Sequence, residues 1–196
     1  WFGVSFIFPD WKFRRLSRTI NRSLTAQCNY LAEVAEQYKY GRNNGLKYRV
    51  IRRAAHNNDA EVASLISTLA TEPDFDPTQK TLAFEFLCLN HTLLSYIAAL
   101  GAHREKIEDQ EVLTLLDLAV ENIQGSLLKD EAPDLNAQNM LDTIRQRLSS
   151  NNKDDQKALI VLQQLSLMLS ILNQLSRLKQ SLSHDRDDKA TELASL

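Results

Sequence analysis

A row of basic side chains is the strongest candidate for chemistry in this sequence. Arg49, Arg52, Arg53 and His56 recur at short helical steps within the segment 48–60. On a helix this spacing places them along one ridge, and guanidinium groups bind carboxylates and phosphates through two parallel hydrogen bonds. The ridge could therefore bind an anion.

The same ridge could instead pair with carboxylates of its own chain. Glu33 and Glu36 lie on the preceding helical segment, and the glycine-rich turn at 41–45 would bring that segment back against the ridge. We favour this internal pairing, and anion binding stays open as the alternative.

No catalytic, cofactor or metal site is predicted. His56 and Asp59 stand three residues apart and could face one cation, but zinc needs three or four ligands and the other histidines are not spaced as partners. We expect this pair to bond polar groups inside the hairpin. No GxSxG motif occurs, and the 41–45 turn lacks the Lys-Ser or Lys-Thr of a phosphate-binding loop. We therefore predict that the protein is not an enzyme.

The chain begins with an uncharged aromatic stretch that runs into basic residues. Aromatic rings prefer the headgroup level of a membrane, and Lys and Arg accumulate in its cytoplasmic flank. We predict that residues 1–9 end a transmembrane helix and, since no Met opens the chain, that the protein is longer. The alternative is a hydrophobic arm that docks on its own domain. The predicted membrane-proximal residues are Trp1, Trp11, Lys12, Arg14, Arg15, Arg18 and Arg22.

Charge is unevenly divided along the chain, although the net charge is only −2. Residues 1–53 hold eleven Lys and Arg against three Asp and Glu, whereas residues 54–196 hold twelve against twenty-two. The basic end can face anionic lipid headgroups, and the acidic remainder would repel nucleic acid. Cys28 and Cys88 are predicted to be small core residues in a reduced, cytosolic compartment.

Apolar residues recur with a helical period through most of the chain, and this predicts an all-α fold. We expect an antiparallel bundle of about six helices over residues 10–184, followed by a charged, flexible tail at 185–196. Asp76 or Thr78 is the expected N-cap of the third helix, and Gly41 the expected end of the first. The predicted helices cover about 10–40, 46–71, 78–101, 108–128, 134–150 and 155–184.

Two helices carry unusually wide apolar surfaces. The third is apolar almost all round, so we predict that it is the most buried element. It is not expected to span a membrane, because Glu85, Asn90 and His91 interrupt it, and no stretch reads as a span of about 20 nearly charge-free residues. The sixth helix either sits centrally in the bundle or offers a face to another subunit. The residues of that oligomer face would be Leu165, Leu169 and Leu172.

A resemblance to a known family covers residues 1 to about 73. The residues that carry it are Phe8 to Arg14, then Tyr30-Leu31, Tyr38 and Gly41, then Tyr48-Arg49 with the run from Arg52 to Ala60, and finally Glu72-Pro73. These segments resemble the cytoplasmic region of the fusaric-acid-resistance-like membrane proteins, specifically the YccS/YhfK branch. The resemblance implies a bacterial inner-membrane protein with soluble helical regions, and relatives include exporters of aromatic carboxylic acids. It brings no catalytic motif and no cofactor.

Two functions follow from these observations. The first is a cytoplasmic domain that assembles or anchors an efflux transporter, with its own transmembrane region, anionic lipid headgroups and further copies of itself as partners. The alternative is a ligand-sensing or gating domain. It would bind a small aromatic or other organic anion through Arg49, Arg52 and Arg53.

Overall fold

Six α-helices make up the part of the chain that the computed structural model describes, which is residues 9–42, 45–129, 135–150 and 156–184. They are α1 (Pro9–Tyr40), α2 (Gly45–Ala70), α3 (Pro77–Ala102), α4 (Gln110–Leu128), α5 (Leu135–Ser150) and α6 (Gln156–His184). No strand occurs in these residues. The predicted all-α fold is confirmed, with helix bounds within about two residues of those expected. Of the predicted membrane stub at 1–9, residues 1–8 lie outside the described residues, and so does the predicted tail at 185–196.

Helix ends coincide with capping signals in the sequence. The Asp76 carboxylate accepts the backbone N–H of Thr78 at 3.1 Å at the start of α3. Asp109 caps α4 in the same way, through two N–H groups of the first turn. Gly41 follows α1 with a φ of 84°, and its N–H donates to the carbonyl of Gln37 at 2.9 Å. These bonds satisfy backbone groups that a helix leaves open and set where the chain reverses.

The first two helices form an antiparallel hairpin. Arg22 of α1 bonds Glu61 of α2, and Tyr30 bonds Tyr48, so positions on α2 fall as positions on α1 rise. Nearer its start, α1 is tied to the end of α2 by an ion pair that includes Lys12. The hairpin is therefore cross-linked by polar contacts at several levels.

Helices α1 and α6 lie at the centre of the bundle. Helix α1 contacts α2, α3, α4 and α6, while α6 contacts α1, α3, α4 and α5. The stripe on α6 is consequently covered within the chain, and Leu165, Leu169 and Leu172 are 0%, 7% and 2% exposed. Of the two alternatives given for this helix, the structure shows the central position, because neighbouring helices of the same chain bury the residues that we considered as an oligomer face.

The prediction that α3 is the most buried helix is also wrong. Helix α4 buries a larger share of its residues, and α3 leaves Phe84 43% exposed. Cys88 of α3 is exposed as well, whereas Cys28 of α1 is buried as predicted. A helix of apolar composition tends to be buried by its neighbours. Helix α3 nevertheless lies towards the outside of the bundle and exposes one side to solvent.

Two described helices, Pro77–Ala102 and Gln156–Ser183, are long and apolar enough to cross a membrane by length and composition alone. We predicted that no segment would meet this criterion. The core helix of a water-soluble domain passes the same test, and both helices pack here against several others. Each also carries a buried polar residue that bonds another helix, Asn90 in α3 and Lys179 in α6. In this bundle they serve as packing helices.

Candidate functional site

A basic groove lies along the beginning of α1. It has a volume of about 400 Å³ and is lined by Arg14, Arg15, Arg18, Thr19, Arg22 and Glu61. We call it the α1 groove. Its one carboxylate belongs to Glu61, which Arg22 bonds at 3.2 Å, and Arg15 and Arg18 are exposed. Four of the seven predicted membrane-proximal residues therefore converge on one surface.

The other three predicted membrane-proximal residues are not part of this groove. Lys12 is paired with Glu72 at the end of α2 and is partly buried, so its charge holds the hairpin together. Trp1 lies outside the described residues, and the same is true of the side chain of Trp11. Their predicted contact with a membrane stays a prediction.

The internal pairing that we favoured for the basic ridge is wrong. Glu33 pairs with Lys47 at 2.5 Å, and Glu36 pairs with Lys39 at 3.4 Å, so lysines occupy the carboxylates expected to meet the arginines. Among the described residues, no ion pair forms at Arg49, at Arg52 or at Arg53. The charges of the ridge are left facing solvent.

Folding divides the ridge and adds an arginine from elsewhere. Arg49 and Arg52 line a groove of about 500 Å³ between α2 and the end of α3, together with Arg104, which follows α3. We call it the arginine groove. Its remaining lining consists of Gly45, Tyr48, Ala98 and Ala102. Arg53 and His56 do not line it, so the structure brings together only two of the four residues predicted to bind an anion, and their binding of an anion stays a prediction.

Arg104 is held in place by three contacts. Its Nε donates to the side-chain oxygen of Gln37 at 2.7 Å, and its Nη1 donates to the carbonyl of Gly101 at 2.7 Å. Its guanidinium carbon lies 3.7 Å from the centre of the Tyr48 ring, which is a cation–π geometry. These contacts leave Nη2 for another partner and remove most of the rotamer freedom that a binding event would have to restrict.

Beneath Arg104, two tyrosines pack on a glycine. The hydroxyls of Tyr30 and Tyr48 lie 3.0 Å apart, and the two rings meet edge to face. A Cβ atom on Gly101 would come within 2.8 Å of the Tyr48 hydroxyl and 3.1 Å of the Tyr30 hydroxyl. Burial raises the pKa of Tyr30 well above its ordinary value, so the phenol stays neutral. Gly101 therefore allows the tyrosine that supports Arg104 to approach α3.

His56 and Asp59, the pair considered as possible cation ligands, have different hydrogen-bond or ring partners in the structure. Asp59 is buried and accepts a bond from the Asn90 side chain at 2.8 Å, and its second oxygen lies 2.8 Å from Nδ1 of His91. Both partners are on α3, so the expectation of bonds inside the α1–α2 hairpin is wrong for Asp59. His56 is exposed and lies near Tyr30, and partial burial, followed by the charge of Arg52, lowers its pKa. No group of three metal-ligating side chains occurs in the described residues.

Sequence reasoning missed Arg104, Tyr48 and Gly101 as parts of one site. Arg104 is more than fifty positions from Arg52 and follows an apolar helix, so no local spacing connects them. One signal was available. Small residues at 98, 101 and 102 recur at three and four residue steps in a leucine-rich helix, which marks a place where another element can approach closely.

Comparison with known proteins finds relatives of which this chain covers a part. It is 42% identical over 184 residues to inner membrane protein YccS of Escherichia coli K12, covering 93% of the chain and 26% of that protein. An uncharacterized protein of Haemophilus influenzae is 37% identical over 109 residues, 56% of the chain and 15% of the relative. Protein ORF2 of Neisseria gonorrhoeae, also uncharacterized, is 32% identical over 116 residues, 59% of the chain and 28% of the relative.

The chain thus spans about a quarter of the length of the Escherichia coli relative that it matches. No family model matches it, and no solved structure does. The matched region includes almost all of the six-helix bundle. This identity supports a YccS-like family of membrane proteins for the chain.

Proposed function

We propose that the chain is a helical domain on the cytoplasmic side of a bacterial inner-membrane protein of the fusaric-acid-resistance-like type. In this proposal it anchors and assembles the membrane part of an efflux transporter and has no catalytic role. Support comes from the similarity to an inner membrane protein, of which the chain matches about a quarter. Self-association of the whole protein stays a prediction, and it would require a face other than the buried stripe of α6.

The observation that carries this proposal is the α1 groove. Arg14, Arg15, Arg18 and Arg22 face one surface with a single carboxylate among them, at the beginning of the first helix. Each basic residue near an anionic membrane surface contributes about 1 kcal/mol, and salt weakens the attraction over a Debye length of about 8–10 Å. Two of these arginines together therefore account for about 2 kcal/mol, or an affinity change of about 30-fold.

Vesicle co-sedimentation of the full chain tests the lipid contact. The variant Arg15→Gln/Arg18→Gln removes two exposed charges from the α1 groove, and we expect it to bind vesicles with phosphatidylglycerol about 30-fold more weakly than the wild type. Arg49→Gln/Arg52→Gln is the matched control, since it removes the same charge from a different surface. An equal loss in both variants, or binding that ignores lipid charge and salt, would contradict the proposal.

A second function is favoured by a specific observation. The ridge arginines have no carboxylate partner among the described residues, although the sequence predicts that they pair with Glu33 and Glu36. Two of these arginines, Arg49 and Arg52, line one concave surface together with Arg104, and guanidinium groups without a carboxylate partner are suited to an external anion. We therefore keep a ligand-sensing or gating role as the alternative, in which an organic anion binds on α2 and changes how the hairpin packs on α3. Hydrogen exchange of α2 and α3 with and without an anion tests this role, since a bound anion should slow exchange there.

A further inference from the structure

We infer that the arginine groove is a binding site for a phosphate-bearing small molecule. This inference deepens the ligand-sensing function proposed above and rests on it, whereas it is independent of the lipid contact at the α1 groove. It depends on the charge, the shape and the preorganisation of the groove.

The positive charge of the groove favours a ligand that carries more than one negative charge. Arg49, Arg52 and Arg104 line it, and no carboxylate does among the described residues. The first turn of α2, next to which the groove lies, also carries no acidic residue. A single carboxylate would neutralise one of three guanidinium groups, whereas a phosphate monoester carries about −1.5 to −2 at neutral pH and presents three acceptor oxygens. A phosphate or diphosphate group is therefore the better match.

The three guanidinium groups remain available for such a ligand. Arg49 uses only its Nε, which donates to the carbonyl of Gly45 at 3.2 Å, and its two terminal nitrogens are left over. Arg104 is fixed through Nε and Nη1 and keeps Nη2. Arg52 is exposed and forms no ion pair in the described part of the chain. A planar fork that is already oriented loses less freedom on binding than a mobile lysine would.

The shape of the groove indicates a ligand larger than a bare ion. Its volume is about 500 Å³, which lies within the usual range of small-molecule sites of about 300–1,000 Å³. Ala98 and Ala102 of α3 add small apolar side chains to the lining, so the groove offers an apolar contact beside the arginines for an organic moiety. The chemistry is thus a phosphate group with a small body attached.

The arginine groove lies at a different level of the bundle from the α1 groove. Tyr30 marks the level of the groove on α1, and it lies eight residues beyond Arg22, the last arginine of the α1 groove. Eight residues of helix span about 12 Å, which exceeds the Debye length of about 8–10 Å at physiological salt. The two basic surfaces can therefore bind separately and can be tested separately.

Calorimetric titration of the full chain with inorganic pyrophosphate tests the inference. We expect saturable binding that weakens at least about tenfold in Arg49→Gln/Arg52→Gln, because the variant removes two of the three guanidinium groups that line the groove. Both positions are exposed, so the variant should keep the wild-type melting temperature, which a thermal melt checks. The control Arg15→Gln/Arg18→Gln should bind pyrophosphate within about twofold of the wild type, since it lies outside the groove.

Three arms separate the remaining outcomes. If pyrophosphate fails to bind while benzoate binds and loses affinity in Arg49→Gln/Arg52→Gln, the phosphate class is overturned and the ligand-sensing function survives. If neither anion binds in a saturable way, both are overturned. If phosphatidylglycerol vesicles bind through Arg49 and Arg52 but pyrophosphate does not, the groove binds a lipid headgroup, and the proposal of a small phosphate-bearing ligand is overturned.

Discussion

Replacing Gly101 by alanine tests whether the tyrosine pair closes on α3 as described. A Cβ atom there would lie 2.8 Å from the Tyr48 hydroxyl, 3.1 Å from the Tyr30 hydroxyl and 3.2 Å from Cγ2 of Val34. Tyr48 cannot easily move away, because Tyr30 bonds its hydroxyl and Arg104 covers its ring. The contact should therefore behave as overpacking.

The expected magnitude follows from two opposing effects. Overpacking of a filled site costs about 1–3 kcal/mol, while alanine is favoured over glycine in a helix by about 1 kcal/mol. The difference between these effects is about 0–2 kcal/mol. Because the nearest atom lies at only 2.8 Å and belongs to a side chain held by two neighbours, we expect the upper half of this range. Gly101→Ala should therefore lower the free energy of unfolding by about 1–2 kcal/mol, which for a chain of this size lowers the melting temperature by about 2–8 °C. Urea unfolding followed by circular dichroism measures the loss.

A double-mutant cycle with Tyr48→Phe identifies the responsible atom. Phenylalanine keeps the ring under Arg104 but removes the hydroxyl that the new Cβ would meet first. The penalty of Gly101→Ala should consequently shrink by about 1 kcal/mol in the Tyr48→Phe background, although Tyr48→Phe alone is destabilising. Gly45→Ala is the control, because no atom lies within 4 Å of its added Cβ. A Gly101→Ala protein as stable as the wild type, or a penalty unchanged in the double mutant, would refute the reasoning.

Three further predictions concern the core. Burial raises the pKa of the Cys28 thiol to about 12, so at pH 8 it stays protonated and covered; a thiol reagent should label only Cys88 in the native protein and both cysteines in denaturant. Leu172→Asp should unfold the domain instead of dissociating an oligomer, because it buries an unpaired charge, and circular dichroism with light scattering separates these results. Asp59→Ala should lower the free energy of unfolding by about 1–3 kcal/mol, since the buried amide of Asn90 loses its acceptor; an unchanged urea midpoint would contradict this.

The sequence predicts helices well because helix ends are local events. The Asp76 carboxylate can cap the first turn of a helix, and Gly41 can adopt the positive φ at which a helix ends. The structure places both residues as expected. Periodicity shows which residues of α6 avoid water, but it does not show what covers them. The sequence therefore left open whether the bundle or a second subunit covers Leu169, and neighbouring helices of the same chain bury it.

The candidate site was only half predictable for a related reason. Arg49 and Arg52 belong together because they are three residues apart on one helix. Arg104 lies near them only because the end of α3 packs against α2. Lys47 forms the ion pair with Glu33 that the arginines of the ridge were expected to form. Competition among several cations for few carboxylates is decided by tertiary geometry, which spacing along the chain does not contain.

The buried polar cluster at Asn90 has a consequence for how α3 settles against the hairpin. Leucine-rich helices can slide past one another by one turn, about 5.4 Å, and still bury similar apolar area. The side-chain amide of Asn90 donates to Asp59 of α2 and to Ser23 of α1. The backbone carbonyl of Asn90 accepts from the side chain of Gln27, so all three bonds lie at one level of the bundle. A shift by one turn would leave several of these groups buried without partners, at about 1–3 kcal/mol each. The cluster thus selects one register of α3, and this register is the one that brings Gly101 under Tyr48.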